Sequence, residues 1–204
     1  MYSFTVSIIV LTSIISFLSF NNYKITDALI FWPPAIGIKH QYWRFLTCGF
    51  IHADFMHLAF NMFTLFFFGK ALENYYMGVL GLQHYYFIIL YISAIIVANI
   101  PTYIKRRDDY NYRSLGASGA VVAVQFAFIL IDPWAQLWVW GIKMPSIIFV
   151  LLFLAYTIYM NRRGGDNVNH DAHLWGAVYG VIFTIAARPE AASMFLDQIK
   201  HPRF

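Results

Sequence analysis

Charge is what this chain has least of. Asp, Glu, Lys and Arg make up 12% of its 204 residues, against 60% hydrophobic. So few charged groups do not keep a domain of this size in water, and a mean hydropathy of +0.58 places it among multi-span membrane proteins. Cysteine is nearly absent: Cys48 stands alone, so no intrachain disulfide forms, and it reads as a buried, inert thiol. No long basic run exists, only short clusters between apolar stretches, so nucleic acid is not an expected partner. Met1 to Phe20 has neither a basic leader nor an Ala-x-Ala-like cleavage site, and is expected to stay as a first span. An internal repeat, a low-complexity segment and a second domain are also missing. Without paired broken helices, a small transporter or channel finds little support.

What is there is apolar and periodic. Six runs predict an all-α membrane protein, a six-transmembrane-helix bundle in one domain, with spans over 4–20, 55–76, 85–104, 115–131, 145–160 and 170–187. The connection 21–52 carries Trp32-Pro33-Pro34 and Gln41-Tyr42-Trp43-Arg44-Phe45, residue types that suit the headgroup region. Polar loops follow at 105–109 and 161–169, and Arg188-Pro189 leaves a short tail. With six spans, nine basic residues fall on one side: Lys24, Lys39, Arg44, Lys105, Arg106, Arg107, Arg113, Arg162 and Arg163. Five fall on the other: Lys70, Lys143, Arg188, Lys200 and Arg203. The positive-inside rule puts the nine in the cytoplasm.

The chain is organised around Leu115-Gly116-Ala117-Ser118-Gly119-Ala120, which opens the apolar run to Ile131. From Ser118 to Ile131 is 14 residues. At about 1.5 Å per residue that is roughly 21 Å, in a bilayer core about 30 Å thick. If Asp132-Pro133 lies near one surface, Ser118 starts on the order of 10 Å below the other.

The second, fourth and sixth spans start on the same side, and each has polar residues near its start: His57 and Asn61, Ser118, and His173. Polar groups at membrane depth are costly unless they face a partner or a wet cavity, so their convergence at one level predicts a site. His57 and Asn61, four apart, share a helix face; so do His173, Gly176 and Gly180. Gly176-xxx-Gly180 admits a close neighbour, and Gly116, Gly119, Ala120 and Ala123 give the serine helix a small surface to match. Such packing brings Ser118 within reach of His173, a hydroxyl and a base. His57, Asn61 and the Ser118 N–H are candidate oxyanion donors. Taken singly, each signal has a plainer reading: a serine bonded to its own helix, a histidine or asparagine bonding a neighbouring span, a glycine pair serving packing alone. Glu73 reads as structural, capping a loop, and Trp43 and Arg44 as anchors of the long connection. The serine motif is not the soluble elbow G-x-S-x-G, since Ala120 replaces its last glycine. His52 and His57 lie about 140° apart on a helix, poor for one metal, and adding His170, Asp171 and His173 gives no familiar spacing. Neither metal nor cofactor is expected.

Read together, these motifs resemble the rhomboid intramembrane serine proteases, from about Trp43 to Gly180. Trp43-Arg44 resembles the family's WR. His52-x4-His57-x3-Asn61 resembles the pattern opening its second span, and Glu73 its glutamate near the end of that span. Gly116-x-Ser118-Gly119 resembles its GxSG, and Ala172-His173-Leu174-Trp175-Gly176-x3-Gly180 its sixth span. The resemblance implies a six-helix bundle, a Ser118–His173 dyad and cleavage of transmembrane segments of single-span membrane proteins. It implies a multi-pass protein of the bilayer, expected in a bacterial inner membrane. It also implies cytoplasmic termini and a site open to the outer side, against the basic-residue count. A non-catalytic rhomboid-like protein that binds client helices is the main alternative.

Overall fold

The computed structural model describes residues 3–139, 141–165 and 168–202. Met1 and Tyr2 of the first run, positions 166–167 of the polar loop and Arg203 of the basic count lie outside them.

The first run is helix α1, Phe4–Phe20. The connection after it folds into three short helices, α2 (Tyr23–Leu29), α3 (Pro33–Lys39) and α4 (Arg44–Thr47), then a 3-10 turn over Cys48–Phe50. Long helices follow: α5 (Phe55–Gly78), α6 (Tyr85–Arg106) and α7 (Ser118–Ile131), then α8 (Ser146–Arg163) and α9 (His170–Ala187). Among the described residues, α5, α6 and α8 are long and apolar enough to cross a membrane, by length and composition; α1 and α7 are shorter apolar helices. α9 has the length of a span but starts with His170, Asp171 and His173.

Three local features were not foreseen. The chain is not wholly α-helical: Gln136–Val139 (β1) pairs antiparallel with Ile142–Pro145 (β2), with Gly141 at φ +82 in the connection. That stretch is too short for a helix of its own, and its Gly is a turn signal. The short tail carries a helix of its own, α10 (Glu190–Lys200). Its Ala191, Met194 and Phe195 recur at helical spacing and meet the core. Finally, the span expected from 115 becomes helical only at Ser118, since Gly116 has φ +117, far from helical values.

α7 is the centre of the bundle: 12 of its 14 residues are buried. Its closest neighbour is α9. A Cβ on Gly176 would overlap the Gly119 carbonyl oxygen, and one on Gly180 the Ala123 carbonyl oxygen. Lipid is as apolar as leucine, so helices in a membrane gain by this close approach of small residues. The pairings 118–173, 119–176 and 123–180 make α7 and α9 run in the same direction. α5 follows them, with Tyr76 near its end bonded to Thr184 near the end of α9 at 2.7 Å.

Candidate active site

The serine is placed by the turn in front of it. Gly116 donates its N–H to Cys48 O at 2.9 Å, and its positive φ turns the chain sharply. A Cβ there would also strike the His57 ring, 2.7 Å from Cε1 and 2.9 Å from Nε2, so only glycine fits. Ala117 donates its N–H to His52 Nε2 at 3.3 Å, and the next residue, Ser118, begins the helix. Its N–H belongs to the first turn, whose donors have no acceptor inside the helix. His173, one turn into α9, sets Nε2 2.8 Å from Ser118 Oγ. The His173 ring also packs near Phe153 of α8 and His170, at 5.9 and 5.8 Å between centroids.

The two histidines before α5 differ in role. His52 is buried and lies between Ser16 Oγ, 3.0 Å from Nδ1, and the Ala117 N–H. Ser16 Oγ donates to Phe50 O at 3.0 Å, so it accepts from His52, which assigns the His52 proton to Nδ1. Burial, assisted by the neighbouring His57, lowers its pKa from 6.5 to about 3 and keeps it neutral. His52 therefore joins α1 to the turn before Ser118. His57 stands edge-on to it, 4.9 Å between ring centroids. The Ala53 N–H reaches His57 Nδ1 at 3.5 Å, which assigns the His57 proton to Nε2, the nitrogen facing Gly116.

The site residues expected from sequence do not all meet. Ser118 and His173 touch, and His57 reaches the Gly116 turn before Ser118. Asn61 is buried one turn further along α5 and spends one amide proton on His57 O at 2.9 Å. Glu73 caps a helix rather than a loop: it accepts from Ser3 Oγ (2.6 Å), the Phe4 and Thr5 N–H groups (2.7 and 3.3 Å) and Thr5 Oγ1 (2.9 Å), holding the start of α1. Carboxylate at a helix N-terminus answers its orphan donors and its dipole. Arg44 is buried and donates to Gln41 Oε1 at 2.6 Å and to the Asp27 and Ile30 carbonyls at 2.6 and 2.8 Å. Trp43 Nε1 donates to Ala28 O at 3.4 Å. Both fasten the connection 21–52. Gly119, Gly176 and Gly180 serve the α7–α9 contact.

Beside Ser118 is a cavity of about 20 Å³, lined by Cys48, Asn99, Ser114, Asn169 and the turn before Ser118. That is room for about one water among polar groups. Its far wall is a network that sequence reading passed over. Asn169 caps α9 through the Ala172 N–H (3.1 Å), accepts from Thr102 Oγ1 (2.9 Å) and donates to Asn99 Oδ1 (3.3 Å). Its one visible signal is an asparagine, Asn99, deep in an apolar run. A larger cavity, about 360 Å³, lies at the opposite end between Tyr75, Asp132 and Asp197, away from the dyad.

A family model described as the rhomboid domain matches residues 39–190. The rhomboid protein YdcA of Bacillus subtilis is 30% identical over 150 residues, covering 73% of this chain and 69% of that one. RHOMBOID-like protein 12, mitochondrial, of Arabidopsis thaliana is 30% identical over 149 residues, covering 67% of this chain and 44% of its own length. The human presenilin-associated rhomboid-like protein, mitochondrial, is 31% identical over 148 residues, covering 67% of this chain and 35% of its own. The match with residues 39–190 takes in every element of the Ser118 site except α1, and the chain belongs to the rhomboid family.

Proposed function

We propose that the chain is an intramembrane serine endopeptidase that uses Ser118 as nucleophile and His173 as general base on transmembrane segments of single-span membrane proteins. The 2.8 Å contact between His173 Nε2 and Ser118 Oγ carries this reading. Ser118 Oγ attacks the scissile carbonyl carbon as its proton passes to His173. The oxyanion formed takes hydrogen bonds from the Ser118 N–H and His57 Nε2–H, with the second amide proton of Asn61 as a further donor. His173 then protonates the leaving amine, the C–N bond breaks, and an acyl ester remains on Ser118. Water, deprotonated by His173, attacks the ester and restores the hydroxyl. A substrate helix satisfies its own backbone and must unwind locally to be cut, so Gly, Pro or small residues near the cut favour cleavage.

In this reading α1, α5, α6, α7, α8 and α9 are the six spans, and both termini lie in the cytoplasm with the site near the outer surface. The family's topology outweighs the count of nine basic residues on the site's side. A reporter fused to each terminus decides the orientation. A bacterial cell membrane is the proposed location, on the support of the Bacillus subtilis relative. The function is tested with the full chain in proteoliposomes containing a model single-span substrate. Wild type is expected to cleave it and to be labelled at Ser118 by a fluorophosphonate, and Ser118→Ala and His173→Ala are expected to do neither. Cleavage by Ser118→Ala overturns the dyad. Binding of the substrate without cleavage or labelling overturns it in favour of a client-binding protein.

A further inference from the structure

Two cations of the site's side lie over one indole. Arg113 Cζ is 3.9 Å from the Trp32 ring centroid and Lys39 Nζ is 5.5 Å from it. Their neighbours are neutralised: Lys105 pairs with Asp171, Arg106 with Asp109 and Arg107 with Asp108. Among the described residues neither Lys39 nor Arg113 has a carboxylate partner. Arg113 spends one terminal nitrogen on the Tyr110 and Tyr112 carbonyls (2.9 and 3.3 Å), which leaves the rest of its fork uncommitted. The Trp32 Nε1–H is out of solvent and has no acceptor among the described residues. Arg44 also feels the charge of Arg113, but it is offset by Asp27, so the uncompensated pair is Lys39 and Arg113. Uncompensated like charges gathered at one place favour an anion there, and a guanidinium with an ammonium suits phosphate.

The surroundings decide which phosphate. Ile38, next to Lys39, is 63% exposed, and Tyr42 and Tyr110 are each 61% exposed. A free anion needs no apolar rim; a headgroup whose acyl chains continue into the bilayer does. We propose that Lys39, Arg113 and Trp32 form a binding site for the phosphate of an anionic membrane lipid. The site touches the nucleophile turn through the backbone. Phe31, beside Trp32, exchanges two hydrogen bonds with Ser114, beside Arg113, at 3.0 and 3.2 Å. Ser118 lies four residues further on. Lipid held across this bridge steadies the approach to Ser118, a consequence for turnover that rests on the proteolytic reading; the binding itself does not.

The test is native mass spectrometry of the purified full chain in mixed micelles with dioleoyl phosphatidylglycerol or dioleoyl phosphatidylcholine. Wild type is expected to retain the anionic lipid preferentially. Lys39→Ala/Arg113→Ala is expected to weaken that retention about tenfold or more, two basic side chains near an anionic surface being worth that much. Lys39→Arg, which keeps the charge, is expected to retain the lipid and so separates lost binding from lost folding. Glycerol phosphate at equal concentration is expected not to displace it. Equal retention of both lipids by wild type, or undiminished retention by the double variant, overturns the proposal. Full displacement by glycerol phosphate overturns the lipid assignment in favour of a soluble phosphate. Unchanged lipid retention with a KM raised only for substrates carrying acidic flanks overturns it in favour of an acidic substrate segment.

Discussion

α7 and α8 are consecutive helices with opposite relations to the bundle. α7 is buried along 12 of its 14 residues and meets α9 through glycine against backbone. α8 buries Ser146, Val150 and Thr157 out of 18 residues. Its base is stitched to the end of α7: Ser146 Oγ donates to the Asp132 and Pro133 carbonyls at 2.9 Å each. At its other end Asn161 Nδ2 reaches Asp171 at 3.0 Å, on a carboxylate already paired with Lys105. Between these points Phe153 faces the His173 ring. The contrast separates a half that holds the hydroxyl and imidazole together from a lightly held wall, the part that the proposed function would have a substrate helix displace.

The largest expected effect breaks the first half chemically. Ser118→Ala removes the proposed nucleophile and should lower kcat/KM by about 10³-fold or more, with the unfolding midpoint nearly unchanged. Breaking it sterically comes next. Gly176→Val drives a side chain into the Gly119 carbonyl and should cost about 3 kcal/mol or more, read by denaturant unfolding in micelles, with activity lost alongside. Loosening the wall should act in the opposite sense. Asn161→Ala frees the upper end of α8 and should raise turnover of a transmembrane substrate by about threefold, since one hydrogen bond is worth about 0.5–1.5 kcal/mol. A decrease in turnover would remove α8 from the role of gate.

A fourth test concerns pH. His52 has its pKa lowered to about 3 in the fold against an ordinary 6.5, so the unfolded chain binds a proton that the folded one refuses. Stability from this group is complete above pH 6.5 and falls as the pH drops toward about 3, by about 1.4 kcal/mol per unit. His52→Gln should flatten that slope in equilibrium unfolding. The smallest effect belongs to Glu73→Gln, which weakens the cap of α1 by about 1 kcal/mol or more and should leave kcat unchanged, because this cap sits near the end of α5 away from His57 and Asn61.

Much of the site was legible because its parts announce themselves locally. Ser118 follows a glycine turn and opens an apolar helix, and Gly176 and Gly180 repeat at one helix face. The role of Glu73 was not legible, since its partner Thr5 is 68 residues away and nothing near Glu73 points to it. His52 stood in the pattern opening the second span but was given no role of its own, for the same reason. Its value lies in joining Ser16 to Ala117, which are distant in sequence and meet only after folding. The hairpin and α10 were missed because the dominant pattern was span against loop, and short elements between spans leave a weak period.

By itself the sequence determined that this is a chain for lipid, where its apolar helices begin and end to within a few residues, and which hydroxyl and imidazole were candidates for one another. Periodicity and composition act within a few turns of chain, and these are properties of that range. Only the tertiary structure decided that Ser118 and His173, 55 residues apart, stand at 2.8 Å, that one proton of Asn61 is committed to its own helix, and that Lys39 and Arg113 share an indole. Such contacts depend on how closely whole helices approach. In a membrane that is set by small residues and buried hydrogen bonds spread along the full length of the chain.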